Sequence, residues 1–584
     1  MLIYIPNLLQ LKNFSLFLEL YLSIMLLNFL VISVILYNNI KFFLIQGVIS
    51  ECVSIILFGS VFLIFNNSKF YYIFSHSDIK INQFTNCLLH DKLSFLAKIV
   101  ICINSFLFFL IISDYLKIYK LTFEFIILLL FAVLGLLFMC SSNDFLLIFV
   151  SIELVSLSSY ILTAIRKNSK NSVEAGIKYL IVGVISGAFF LLGVSFLYFW
   201  SGTILISDFK LLCSNIDSRL MSSIETEYYC SFLLYWLTIW CFKPYFFLKI
   251  KMDMLSDIEW LWFLLIWYWQ FADWTFDFYV YDLNLMIYID QFLLFSSNSS
   301  SIYIVEIGLS LILISIFIKL SLAPFHLWSL DVYEGAPTIG TFFFAVITKL
   351  SFFIFLYRIY YNFFITYYKV FIIFSFIIGF FSIVIGSFGN LRQKKFKTFM
   401  AYSSINHMGF VLLAFSTGTH LGFEFSIFYL IIYMITNTVI WFSVLPLIKI
   451  NTVYKLKYSN NFSDLILLYK TQPVIALGLL ISFFSSAGIP PFIGFFAKLG
   501  IFFVLLDTGY IFISILISLC SVISAFYYIR VIKILYFENS LVGDFYKPYY
   551  SNKIILFPIL TFCLVFLVFK IEFLFLIIHY SIYF

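Results

Sequence analysis

Apolar runs of about 20 residues recur along most of this chain, divided by short polar or basic stretches. A helix of that length crosses the hydrocarbon core of a bilayer. On that criterion the pattern predicts spans at 14–37, 42–65, 95–113, 121–141, 144–165 and 177–200, then 302–330, 338–360, 369–389, 400–416 and 423–448, and finally 472–507, 510–536 and 554–580. The expectation is an all-α, polytopic membrane protein of about fourteen transmembrane helices. Two spans contain helix breakers, at Ala323-Pro324 and at Gly488-Ile-Pro-Pro491. Backbone groups freed by a break inside a membrane must find protein or water partners.

The basic residues supply a check on the order of the spans. Loops after odd-numbered spans carry Lys41, Lys117 and Lys120, Arg166, Lys167 and Lys170, Arg392 to Lys397, Lys449 to Lys470, and Lys547 and Lys553. The short loops between, at Ser142-Asn143 and Gly418-His420, have no Lys or Arg. By the positive-inside rule the basic loops face the cytoplasm or matrix, and both termini lie outside.

Composition narrows the class further. With 63% hydrophobic and 11% charged residues, the chain is no ordinary soluble domain. A net charge of +6 is small for 584 residues and points to no nucleic-acid partner. The nine cysteines form no C-x-x-C pair, the six histidines are scattered, and no glycine-rich phosphate loop occurs. We therefore expect no metal, redox cofactor or nucleotide in this chain. The first apolar run is too long for a signal peptide and no Arg-rich transit peptide is visible, so no removable leader is expected. Abundant Phe, Tyr, Ile, Asn and Lys suggest an AT-rich, organellar genome.

The pattern lapses between Ile204 and Ser300, which holds seven of the ten tryptophans, Trp236 to Trp274, interspersed with Lys243, Lys249 and Lys251. Tryptophan favours the membrane interface, so interfacial helices on the outer side, or at most a pair of extra spans that preserves parity, are expected there, serving partner contact. Spans four to eight and nine to thirteen each end in a broken helix plus one more, a faint internal repeat. With five helices per unit, the second copy enters from the opposite side, the inverted-repeat architecture of translocators. The expected division is 1–120 (three N-terminal helices), 121–360 (first repeat, with the 204–300 insert), 361–537 (second repeat) and 538–584 (C-terminal helix).

Four charges fall well inside spans: Glu153, Lys319 before the first break, Lys349, and Lys498 after the second. A charge at bilayer mid-depth costs roughly 3 kcal/mol on lenient scales, so these residues are candidates for proton sites. A buried lysine changes its proton affinity when a carboxylate or water near it moves, and Glu153 beside Lys319 would make such a site. His326 and His407 are possible relays, because imidazole titrates near neutrality. Glu51 reads as one more buried carboxylate, while Glu19, Lys98, Glu124 and Glu424 lie near span ends and read as interfacial. Glu174 and Lys178 have the spacing of a surface pair, and Arg358 that of a headgroup anchor.

Lys319-Leu-Ser-Leu-Ala-Pro-Phe-His-Leu-Trp, the turn Asp331-Val-Tyr-Glu-Gly-Ala-Pro-Thr338 and Thr348-Lys349 closely resemble the chain 2 family of respiratory complex I. Leu391-Arg-Gln, Met400-Ala-Tyr-Ser-Ser with His407, Gly488-Ile-Pro-Pro, Gly494-Phe-Phe-Ala-Lys498 and the Glu153 helix agree with it, from about Leu121 to Phe537 outside the insert. The resemblance implies an antiporter-like, proton-translocating subunit of NADH:ubiquinone oxidoreductase. Glu153, Lys319, Lys349 and Lys498 would carry the protons, with NADH, flavin, iron–sulfur clusters and ubiquinone in partner subunits. The implied partners are other membrane-arm subunits, including antiporter-like chain 4 and small membrane chains, in a mitochondrial inner membrane or a bacterial plasma membrane. Leu330 stands where the family usually has proline, and the long insert is not a family feature. The alternatives are a cation/proton antiporter subunit without a redox partner and a structural membrane-arm subunit that has lost pumping.

Overall fold

Each of the fourteen predicted apolar segments coincides with a helix or a broken helix. The computed structural model describes residues 17–36, 42–66, 81–83, 87–119, 123–166, 169–209, 299–360, 368–445, 448–450, 456–458, 461–466, 468–538 and 556–583. The expected interfacial helices of the tryptophan-rich insert fall on residues 210–298, outside the described residues.

Three N-terminal helices, α1 (Phe17–Leu36), α2 (Phe42–Asn66) and α3 (Lys92–Tyr119), precede α4 (Phe123–Ser141), α5 (Phe145–Ala164) and α6 (Lys170–Ser201). The first broken helix is α7 (Ser299–Lys319) followed by α8 (Leu327–Gly335), and α9 (Thr338–Val346) and α10 (Thr348–Ile359) come next. Then follow α11 (Tyr368–Asn390), α12 (Phe396–Ser416), α13 (His420–Val444) and the short α14 (Leu468–Thr471). The second broken helix is α15 (Pro473–Ala487) and α16 (Ile493–Asp507), and α17 (Ile511–Tyr536), α18 (Leu556–Phe566) and α19 (Ile571–Tyr583) complete the chain. Among the described residues nine helical stretches are long and apolar enough to cross a membrane. The protein is an all-α polytopic membrane protein. Its few strands form two antiparallel hairpins in loops, β1 (Ile81–Gln83) with β2 (Leu88–His90) and β3 (Ile448–Ile450) with β4 (Leu456–Tyr458).

Three boundaries differ from expectation. Helix α6 starts at Lys170 rather than near 177, so it carries its polar Glu174–Lys178 turn as regular helix. The span predicted at 338–360 is interrupted at Ile347, where the Tyr433 hydroxyl donates to Ala345 O at 3.1 Å. A side chain bonded into the helical ladder is a known cause of such a break. The last span passes through a 3₁₀ turn at Leu567–Lys570.

Helix α6 packs on α5, α7 and α8, while α12 packs on α11, α8 and α13. Helices α9 and α10 join the two groups by lying against α13. At one end of the molecule Arg166, Lys170 and Lys397 line a common pocket, so the basic loop after α5 and the basic start of α12 meet there on one side, in keeping with the charge pattern. At the opposite end Tyr360 donates to Gly418 O at 3.0 Å. Arg358 also lies at that end, and it is no headgroup anchor. It is 5% exposed and donates to Ser142 O at 2.6 Å and Leu89 O at 3.1 Å. Two backbone carbonyls, with Asp91 at 3.7 Å, meet its charge inside the protein.

Several other charged residues sit differently from the reading of their positions in the spans. Glu51 is exposed on the surface of α2. Glu19 and Lys98, expected at the interface, form a buried ion pair between α1 and α3, and Lys98 also meets His90 Nδ1 at 3.2 Å. Glu424 is fully covered and lies 2.9 Å from His579 Nδ1, fastening α19 to α13. Each had an apolar neighbourhood in sequence, and the partner came from a distant helix. The acidic turn Asp331–Glu334 is helical, within α8, with Asp331 on Lys178 at 3.0 Å and Glu334 on Lys395.

Removing one member of a buried ion pair strands the other charge, at a cost of about 3–5 kcal/mol. Lys98→Met should therefore lower the thermal unfolding temperature of the detergent-purified protein markedly. The double variant Lys98→Met/Glu19→Leu should recover most of the loss, and equal unfolding of single and double variants would count against the pair.

Candidate functional site

The first break puts a lysine at the end of a half-helix. Lys319 is the last residue of α7, beyond which Leu320 N bonds Ile316 O and Leu322 N bonds Phe317 O, at 2.8 and 3.0 Å. Ser321 turns the chain with a φ of 57°, a left-handed conformation that costs a non-glycine residue energy. Trp328 Nε1 reaches back to Ile318 O at 3.0 Å, a second hydrogen bond on a carbonyl that also accepts from Ser321 N at 3.1 Å. The Lys319 ammonium donates to the Tyr160 hydroxyl of α5 at 3.2 Å. Glu153, two turns earlier on α5, holds Ser156 Oγ at 3.0 Å and lies within electrostatic range of Lys319. The expected Glu153–Lys319 pair is thus no direct ion pair within 4.0 Å, and the hydrogen bond of Lys319 goes to Tyr160 instead.

The second break repeats this arrangement in a different order. Helix α15 ends at Ala487, and Gly488 continues at a φ of 80°, the left-handed region where glycine has no Cβ penalty. Lys498, in the second turn of α16, folds back to donate to Ala487 O at 2.7 Å, with Ser524 Oγ at 3.4 Å. A cation at the C-terminal end of a half-helix is favoured by the open carbonyls and the helix dipole. Its other neighbour is the Phe410 ring, 5.5 Å from Nζ to centroid.

Lys349 occupies the junction between these two sites. It is 5% exposed and donates to Tyr433 Oη at 3.1 Å, and the same hydroxyl donates on to Ala345 O. His407 stands beside Tyr433, with ring centroids 5.3 Å apart, and within electrostatic range of both Lys349 and Lys498. Its Nδ1 lies 2.7 Å from Tyr429 Oη and its Nε2 3.0 Å from Tyr528 Oη. A cavity of about 40 Å³ touches both Lys319 and Lys349, with Ser156, Ser159, Ser321 and Thr348 among its walls. That is room for water with the several polar partners a buried water needs.

Five of the six expected residues therefore fall in one ordered series: Glu153, Lys319, Lys349, His407 and Lys498. His326 does not join them. It is buried at the start of α8, its nearest ring is Tyr402 at 6.4 Å, and it is absent from the walls of the shared cavity. Among the described residues none of the three lysines has a carboxylate within 4.0 Å. Their partners are hydroxyls and carbonyls, and sequence reasoning missed Tyr160, Tyr433, Tyr429 and Tyr528. With 40 tyrosines in the chain, only their helical spacing relative to the lysine helices could have marked them. Among the described residues no group of three His, Cys, Asp or Glu comes together as metal ligands.

Buried lysines at the ends of interrupted helices define the class of ion-translocating membrane proteins. Residues 142–242 and 275–524 match the family described as NADH:quinone oxidoreductase/Mrp antiporter, TM, and the chain belongs to that family. NADH-quinone oxidoreductase subunit N of Pelagibacter ubique (strain HTCC1062) is 30% identical over 522 residues, 88% of this chain and 90% of that protein. NADH-ubiquinone oxidoreductase chain 2 of Marchantia polymorpha is 29% identical over 85% of this chain and 84% of its own length. The chain is thus similar to the antiporter-like subunits of complex I, as its motifs led us to expect. A solved chain of respiratory complex I from Thermus thermophilus with bound aureothin shares the fold. It has a TM-score of 0.64 at 19% identity, covering 96% of this chain and 98% of that one.

Gly488 ties the backbone of the second break to its lysine, since a Cβ there would lie 2.7 Å from Lys498 Cδ. Gly488→Ala adds left-handed strain of roughly 1–2 kcal/mol and pushes the lysine off Ala487 O. The expected outcome is a lower thermal inactivation midpoint of the assembled protein together with impaired turnover.

Proposed function

We propose that this chain translocates protons across its membrane through Glu153, Lys319, Lys349 and Lys498, driven by electron transfer in other subunits of an NADH:quinone oxidoreductase. The observation that carries this reading is the cavity touching both Lys319 and Lys349, with serine and threonine hydroxyls among otherwise largely apolar walls, in a chain of the complex I and Mrp antiporter family. Water in that cavity links the first lysine to the second, and Tyr433 and His407 extend the series toward Lys498. Glu153 biases the first site, and each lysine alternates between an ammonium held by neutral acceptors and a free amine.

In this reading NADH oxidation, flavin, iron–sulfur clusters and ubiquinone belong to partner subunits, and the partners include a further antiporter-like chain and small membrane chains. Residues 121–360 and 361–537 act as two inverted units, each contributing one broken helix. The face bearing Arg166, Lys170 and Lys397 is the matrix or cytoplasmic one, with both termini on the other side. The membrane is the mitochondrial inner membrane, or the plasma membrane if the source is bacterial. A cation/proton antiporter without a redox partner shares the family description. The names of the relatives favour the redox-linked reading, and copurification with flavin and iron–sulfur proteins separates the two.

Lys349→Met keeps much of the side-chain volume and removes the proton site. It should leave assembly intact and abolish or sharply reduce the protons moved per electron pair in reconstituted vesicles. An unchanged yield in the assembled variant would remove Lys349 from the path.

A further inference from the structure

A line of polar side chains runs from the basic end of the molecule to the Nε2 atom of His407, and the lysine series does not include it. Asn390 ends α11, next to the exposed Arg392 and Lys394. It is 1% exposed, and neither of its amide atoms has a well-formed hydrogen bond. Asn390 and Asn406 both lie beside the Tyr527 hydroxyl, to which Asn406 Nδ2 donates at 3.2 Å. Asn406 Oδ1 is likewise buried without a partner. The rings of Tyr527 and Tyr528 are 4.6 Å apart, and the Tyr528 hydroxyl meets His407 Nε2 at 3.0 Å.

Three amide atoms without a well-formed hydrogen bond in one buried place are costly, and such groups are normally met by ordered water. Their position is informative. Tyr527 lies one turn inward from Arg530, whose exposed guanidinium holds Leu391 O at 2.9 Å. His407 lies eleven residues into α12, about 16 Å along the axis from its start at Phe396. Gly386 sets the approach of α11 to α12, because a Cβ there would fall 2.7 Å from the Asn406 nitrogen.

We propose that Asn390, Asn406, Tyr527 and Tyr528 form the inlet through which protons from the Arg392–Lys397 face reach His407. This rests on the proton-transfer reading of the lysines. The asparagine amides hold water, and that water passes a proton to a tyrosine oxygen as the tyrosine gives its own hydroxyl proton to the next acceptor. No phenolate is left behind, and His407 Nε2 ends the line as acceptor. The imidazole then releases a proton from Nδ1 toward Tyr429, on the side where Tyr433 holds Lys349.

The test uses the assembled enzyme in vesicles, with proton translocation read against electron transfer and Lys349→Met as reference. Tyr528→Phe and Asn390→Leu should each slow translocation by at least about tenfold. Asn390→Ser, which keeps a hydroxyl and room for water, should stay near the unmodified rate. If both Asn390 variants are impaired equally, the residue serves packing and the inlet is overturned. If Tyr528→Phe and Asn390→Leu translocate normally while Lys349→Met does not, the inlet is overturned and the lysine series stands. Normal translocation by Lys349→Met would overturn both.

Discussion

Every charge and every open backbone group inside the hydrocarbon region has to be met by the protein or by water that it holds. The two broken helices answer that requirement economically, because the carbonyls exposed by each break become ligands for groups that would otherwise be stranded. Trp328 bonds the end of the first half-helix at Ile318 O, beside Ser321 N, and Lys498 takes the carbonyl of Ala487 at the second break. The hydrogen-bond partners of Lys319, Lys349 and Lys498 are hydroxyls and, for Lys498, the carbonyl at a helix end, rather than carboxylates. Such partners stabilise the ammonium enough to keep it, yet leave no full opposite charge to lock it in place.

Period and length made the helices legible, since a run of some 20 apolar residues has few alternatives in a membrane. The breaks were legible too, because proline and glycine act on the local backbone. Partner identity was not. Arg358, Glu19, Lys98 and Glu424 all sit near span ends, and that position alone suggested an interface. What places them inside is a backbone carbonyl or a side chain between 79 and 269 residues away in sequence. The lysines of the candidate site stood out as charges in apolar runs, whereas the tyrosines beside them resembled any other aromatic membrane residue.

The same asymmetry explains His326 and His407. Both were attractive from residue type alone. His407 lies mid-helix among Tyr429, Tyr433 and Tyr528, which give it a polar partner on each nitrogen. His326 caps the start of a nine-residue helix, and its Nδ1 has no hydrogen bond. An imidazole can pass a proton only when both nitrogens have somewhere to receive it from and send it to, and that is a property of the fold.

The Arg358 tie has a mechanical consequence. Backbone carbonyls cannot swing away as side chains do, and Arg358 grips two of them, from Ser142 and Leu89. Helix α10 is thereby pinned at its far end, nine residues beyond Lys349, while at its near end the ladder is interrupted at Ile347. Sliding α10 along its axis would tear the guanidinium from both anchors and leave them dry. The position of α10, and with it of Lys349, along its axis is therefore tied to Ser142 and Leu89. The freedom left to that position lies in the four-carbon stem of the lysine, which can swing its nitrogen between the Tyr433 hydroxyl and the neighbouring cavity without any helix moving.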